Sequence, residues 1–143
     1  EFIRVVFQSD MHVKVLMESH VDVVVTKHLL NIMELTAHNN VGMIWDIVNM
    51  WSVTKQPPAD VYEQLKKYIY HVHVKDMRVV NGKELYVLLG KGETPIKEAI
   101  QLLYNGNYKG FYSFEWEKMW HPEIEEPEIA LADYPKEIKK YFN

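Results

Sequence analysis

Along this chain, apolar runs of four to seven residues alternate with segments in which apolar positions recur every three or four residues. Period two marks strands and a 3.6-residue period marks helices, so the alternation predicts a βα series with a parallel sheet. Strands are expected at residues 2–7, 13–18, 41–46, 69–75 and 111–115. Between the second and third of these, "VTKHLLNIMELTAHNN" puts Leu29, Ile32 and Met33 on one stripe, with Asn39 and Asn40 as a stop. "PPADVYEQLKKY" starts at a Pro pair and carries Val61, Leu65 and Tyr68 on one face. In "TPIKEAIQLLYNG", Thr94 reads as the N-cap and Pro95 as the first helical position. Ile96, Ala99, Ile100 and Leu103 form its core stripe, and Gly106 lies just past the end. "VVNGKELYVLL" holds an Asn81-Gly82 hairpin turn, an excursion from the βα rhythm. Beyond Pro127 the tail is amphipathic and helical, with an interruption expected at Pro135.

One strand carries more than packing information. In "HVHVKD", His71, His73 and Lys75 share one side while Tyr70, Val72 and Val74 share the other. On an ordinary two-layer sheet the titratable side would simply be the solvated face. The other strands change that picture, because each also finishes in a group able to bind a metal or move a proton. The second ends on Glu18, the third on Asp46 and the last on Glu115, while the fourth carries His73 and Lys75 near its end. In parallel α/β folds the carboxyl ends of the strands carry the site, so Glu18, Asp46, His73 and Glu115 should converge there. An acid at a strand end is commonly a helix N-cap or loop anchor, and a strand His is commonly just hydrogen-bonded. Four such residues, one per strand, are hard to assign to capping.

Composition narrows the function classes. With 143 residues and 48% apolar content the chain suffices for one domain with a real core. The 16 basic and 20 acidic residues give a net charge of −4, which supplies no footprint for a phosphate backbone, so no nucleic-acid partner is expected. No apolar run approaches the length that spans a bilayer and no targeting segment is visible, so neither a membrane partner nor export is expected, and the cytoplasm is the expected location. There are no cysteines, so any metal must be held by oxygen and nitrogen ligands.

The stretches "VKVLMESH", "VGMIWDI", "HVHVKD", "LLGKGETPIKEAIQLLYNGNYKGFYSFEWE" and "WHPEIEEPEIAL" together resemble the carboxyl-terminal half of the sugar phosphate isomerase/epimerase family, the xylose isomerase-like TIM barrels. The resemblance runs from Val13 to nearly the end of the chain. It implies an α/β fold, a (β/α)8 barrel present only in part, with about five strands. It also implies one divalent ion, manganese, magnesium, cobalt or zinc, held by Glu18, Asp46, His73 and Glu115. Three carboxylates and one imidazole suit hard to borderline ions without singling one out. The implied partner is a small-molecule carbohydrate, and the implied activity is isomerisation or epimerisation of a keto sugar or sugar derivative. Such a reaction removes a proton beside a carbonyl and returns it to the other face or to the neighbouring carbon. Glu18 and Glu115, on strands either side of Asp46 and His73, are placed to serve as the two bases.

Other residues are expected near the substrate. His20 lies two residues beyond Glu18. Lys75 has two readings, a contact to a substrate oxygen or phosphate and a structural partner for a nearby acid. Glu117 sits in a cluster with Trp116, Trp120 and His121, whose rings would either stack on sugar or pack the fold. His71, deeper on the strand, is expected to hydrogen-bond within the core. Many relatives carry a His three residues after the Asp, whereas this chain has Asn49, which puts a neutral amide at a substrate-binding position. A whole barrel needs about 250 residues, and "FQSDM" is too short for a parallel crossover. Residues 1–143 therefore read as one domain, the carboxyl-terminal portion of a barrel, with a discontinuity expected between residues 7 and 13. The alternatives are a lyase or dehydratase of the same superfamily, an abasic-site endonuclease, and a non-catalytic barrel. A homo-oligomer is compatible with all of them.

Overall fold

The computed structural model describes residues 13–20 and 22–142. The expected strand at residues 2–7 and the expected discontinuity after it lie outside the described residues. Six strands are present among those described: β1 (Val15–Glu18), β2 (Val41–Asp46), β3 (Ile69–Val74), β4 (Asp76–Val80), β5 (Lys83–Val87) and β6 (Phe111–Phe114). Four of them form one parallel sheet in the order β1-β2-β3-β6. The helices are α1 (Thr26–Thr36), α2 (Ile47–Thr54), α3 (Pro58–Leu65), α4 (Ile96–Asn105) and α5 (Pro127–Ile138). None is long and apolar enough to cross a membrane.

Helices cover one face of the sheet. Met43, Trp45, Val72 and Val74 on the strands are buried in one cluster with Leu29 and Met33 of α1, Val61 and Leu65 of α3, and Ile96, Ala99, Ile100 and Leu103 of α4. Each buried Leu, Ile, Met or Val side chain contributes about 1.5–3 kcal/mol, so this layer anchors the strands and fixes which side of each is free for chemistry. The expected stripe of α4 is wholly buried. On α1, Leu29 and Met33 are buried but Ile32 is exposed, because the contact stripe is narrower than the periodicity suggested.

The structure corrects several expectations. Nothing in the periodicity assigned residues 47–54, yet α2 stands there. β-branched residues in "IVNMWSVT" weaken the helical signal, but Asp46 caps the helix by accepting from the Asn49 N–H at 2.8 Å, and Ile47, Val48 and Met50 are buried against the core. Pro135 does not interrupt α5. The carbonyl it strips of a partner belongs to Leu131 on the exposed side, where water can serve it, and Tyr134 and Ile138 hold the helix to the core on either side. Thr94 is not an N-cap. Pro95 takes that position without a side-chain cap, and the Thr94 hydroxyl is buried without a hydrogen-bond partner.

Tyr70 also departs from the simple alternation. The β2–β3 register shifts between Met43 and Ile44, so that Met43 pairs with Ile69 but Ile44 with His71. Ile69 therefore takes the buried side and Tyr70 is 39% exposed. Its ring fills the space beside Gly42, where an added Cβ would lie 2.2 Å from a ring carbon. The hairpin forms as expected, β4 pairing antiparallel with β5. Asn81 and Gly82, at φ 52° and 75°, supply the two positive-φ positions of a type I′ turn.

Candidate metal centre

Glu18 ends β1, Asp46 ends β2, His73 is the fifth residue of β3 and Glu115 follows β6 directly. Parallel pairing places Asp46 opposite His73 and His73 opposite Ser113, and it continues past β6 where the Glu115 N–H donates to Val74 O at 3.0 Å. The strand ends thus stand at one level. One ligand atom from each of the four residues lies within 4.8 Å of all the others. His73 Nδ1 is 3.0 Å from Glu18 Oε1 and 3.6 Å from Glu115 Oε2.

The short separations match those around a bound cation, and the 4.8 Å limit is slightly wider than an ion would hold them. Around an ion held at about 2.1 Å, adjacent ligand atoms sit about 3 Å apart and opposite ones about 4.2 Å apart. Asp46 uses its two oxygens differently. Its side chain is fully buried, Oδ1 caps α2, and Oδ2 is paired with Lys75 Nζ at 2.9 Å. The capping role and the ligand role are therefore divided between the two oxygens of one carboxylate. Glu18, Asp46, His73 and Glu115 could together hold a divalent cation.

Lys75 sits inside this ring of acids at 2% exposure. Its Nζ donates to Glu115 Oε2 and Glu117 Oε1, both at 2.6 Å. The ammonium is turned to the acids, the arrangement of the structural alternative for this residue. Burial works against its charge, but the Asp46 charge and the bonds from Glu115 and Glu117 outweigh it and raise its pKa. Burial pushes Asp46 up to about 7 against the opposing charge of Lys75 and the Asn49 N–H. Burial also works on Glu115, but there the hydrogen bond and charge of Lys75 prevail and its pKa is lowered.

The remaining expected residues are distributed around the four. Glu117 touches the site through Lys75 and lies 3.8 Å from His121 Nε2. Asn49 sits in the first turn of α2, its Nδ2 donating to Ser19 O at 3.4 Å. His20 is exposed just beyond β1, in a turn where its carbonyl accepts from Val23 N. His71 lies one layer below His73, its Nε2 2.7 Å from Ser113 Oγ and its ring edge-on to His73. Burial, then the His73 charge, lowers its pKa. Trp116 stacks on Phe114 and donates to Glu125 O, so it ties the loop to the fold, whereas Trp120 is 73% exposed.

Three residues near the site escaped sequence reasoning. Ser19 is fully buried, and its Oγ accepts from the Asp46 N–H at 2.9 Å, locking the end of β1 to the end of β2. Tyr86, on the hairpin, lies with its ring 5.4 Å from Lys75 Nζ and edge-on to His121. Asp76, 2% exposed, accepts from the N–H groups of Met77, Gly90 and Gly92 at 2.9–3.0 Å and so ties the hairpin's return loop to the start of β4, directly after Lys75. The spacing of Gly90 and Gly92 was the available signal, since paired glycines mark a close backbone approach.

Comparison with known proteins bears on the whole arrangement. The model of the xylose isomerase-like TIM barrel family matches residues 7–138. The chain belongs to that family. No curated protein matches the sequence. Among solved structures, a xylose isomerase domain protein from Planctomyces limnophilus superposes with a TM-score of 0.69 at 22% identity, over 90% of this chain and 44% of that one. The probable 3-DHS dehydratase of petrobactin synthesis from Bacillus anthracis gives 0.67 at 22% identity, over 91% of this chain and 49% of that one. A 3-keto-D-glucoside 4-epimerase from E. coli gives 0.69 at 16% identity, over 97% of this chain and 50% of that one. At these identities the likeness is one of fold. The chain spans about half the length of these solved structures, and its four parallel strands are part of the barrel that gives its family its name.

Proposed function

We propose that this chain carries the metal-binding half of a divalent-metal-dependent isomerase or epimerase that moves a proton beside the carbonyl of a keto sugar or sugar derivative. The observation that carries the reading is the convergence of Glu18, Asp46, His73 and Glu115 from four successive parallel strands onto one point. Membership of the xylose isomerase-like TIM barrel family, together with likeness in fold to a 3-keto-D-glucoside 4-epimerase, supports the substrate class.

Burial divides the roles. Asp46 has no exposed surface and serves as an anchor, while Glu18 and Glu115 side chains are each 30% exposed on the outermost strands of the four. They flank His73 from opposite sides, so one takes the proton from one face of the substrate carbon and the other returns it to the opposite face. A divalent ion at the site would supply Lewis-acid stabilisation of the charge that develops on the carbonyl and adjacent oxygens. His20, Asn49 and Glu117, set around the four, are assigned to substrate hydroxyls. Asn49 offers a neutral amide there, which binds by hydrogen bonding alone and does not titrate.

The test is solvent exchange. The complete enzyme, a keto-sugar panel and manganese in heavy water should give product labelled at the reacting carbon. Glu18→Gln and Glu115→Gln each keep an oxygen for the metal but remove a base, so turnover should fall by about 10²- to 10⁴-fold. Each single variant should still exchange on the face served by the surviving base. Unlabelled product would refute proton transfer in favour of a direct hydride shift, and product that has lost water would place the enzyme with the dehydratases.

A further inference from the structure

Lysine is almost never fully buried unless it is paired, and Lys75 at 2% exposure is paired three times over. Two of its partners, Asp46 and Glu115, belong to the four-residue set, and the third, Glu117, stands outside it. Among the described residues no other lysine or arginine forms an ion pair with Glu18, Asp46 or Glu115. Three carboxylates held within 4.8 Å of one another repel unless a positive charge lies among them. Resting on the metal-binding reading above, we infer that Lys75 is a resident cation that holds Asp46 and Glu115 in ligand geometry while no divalent ion is bound. Glu117 draws the ammonium from the outer side, and Tyr86 closes over it at 5.4 Å.

Lys75 is thus a positioning residue, and its charge and a divalent cation neutralise the same carboxylates. Their contributions to stability must therefore overlap. Removing the ammonium leaves the metal-free protein with clustered acids and no counter-charge, whereas the metal-loaded protein keeps one. The stabilisation gained on metal binding should be larger when Lys75 is absent.

Thermal unfolding of the full chain, with and without MnCl2, reads this directly. Lys75→Met should lower the metal-free Tm by about 10 °C, as expected for breaking a buried charge cluster in a domain of this size. Manganese should then raise the Tm of Lys75→Met at least twice as far as it raises that of the unsubstituted protein. Lys75→Arg keeps the cation and should show close to the original increment. If Lys75→Met is unfolded without metal, MnCl2 should restore its far-ultraviolet circular dichroism and a cooperative melt. An increment in Lys75→Met no larger than in the original protein, or an unfolded Lys75→Met that MnCl2 does not restore, overturns the inference. If the unsubstituted protein itself shows no manganese shift, the metal-binding reading falls and this inference with it. A normal shift with equal increments refutes only the role given to Lys75.

Discussion

Asp76→Ala should destabilise the metal-free protein by about 3 kcal/mol, although Asp76 touches none of the four converging ligands. Its carboxylate is 2% exposed, with Oδ1 accepting from Met77 N at 2.9 Å and Oδ2 from Gly90 N at 3.0 Å and Gly92 N at 2.9 Å. Removing the acceptor strands three N–H groups at about 1–3 kcal/mol each. Lys91, next to Gly90 and Gly92, is exposed, so water can reach part of that loop, and relief of the carboxylate's own burial offsets more; the low end of the sum is expected. Asp76→Asn should recover little, since it keeps one accepting oxygen and turns an NH2 group towards N–H donors. Gly92→Ala attacks the same contact from the other side. A Cβ there would lie 2.1 Å from Asp76 Oδ1 and 2.4 Å from Met77 O, and the latter is backbone that cannot swing away. The double variant should therefore cost less than the sum of the singles. Gly82→Ala is the control: its Cβ meets nothing within 4 Å, so it should lose only the roughly 1–2 kcal/mol of a left-handed residue at φ 75°. Urea denaturation with unchanged m-values measures all five variants. An Asp76→Ala protein within 1 kcal/mol of the original, or strict additivity with Gly92→Ala, would refute this account of the loop.

The raised pKa of Asp46, at about 7, means the folded protein holds a proton that the unfolded chain has released above about pH 4. Through this group, metal-free stability should fall as pH rises from 4 to 7. Glu115 acts oppositely, since its lowered pKa contributes stability that is lost only as pH drops below the ordinary carboxylate range; from pH 5 to 7 Asp76, raised by its burial, adds to the Asp46 trend while His71, lowered by burial, opposes it, so the Asp46 share is read as the difference between the original protein and Asp46→Asn. Over that window apparent manganese affinity should rise by up to about tenfold per pH unit as the ion displaces the Asp46 proton, and calorimetry finding no pH dependence would contradict this. Ser19→Ala removes the acceptor for the buried Asp46 N–H and should cost about 1–2 kcal/mol with weakened manganese binding, whereas an unchanged manganese isotherm would limit Ser19 to a structural role.

Local pattern determined a good deal of this protein. Alternation located the strands, and because side chains in a strand change sides at every residue, it also sorted Val72 and Val74 from His71 and His73 before any fold was known. The observation that successive strands end in ligand-type residues required only that they be parallel. The Asn81-Gly82 turn was equally legible, since positive φ at two adjacent positions is a property of the residues themselves. Where sequence reasoning failed, the deciding contacts lay far apart in the chain. Residues 47–54 became helical because Asp46 caps them and the core takes Ile47, Val48 and Met50, a tertiary gain that outweighs weak propensity. Tyr70 left its expected side through a register shift against β2, which no single strand can announce. Lys75, one residue with two readings, receives its ion-pair partners from the strand order β1-β2-β3-β6, which brings Asp46 from one neighbouring strand and Glu115 from the other onto its ammonium. Side-chain period is a one-dimensional property and can be read from one segment at a time; pairing of charges across strands depends on order and register, and these exist only once the sheet has formed.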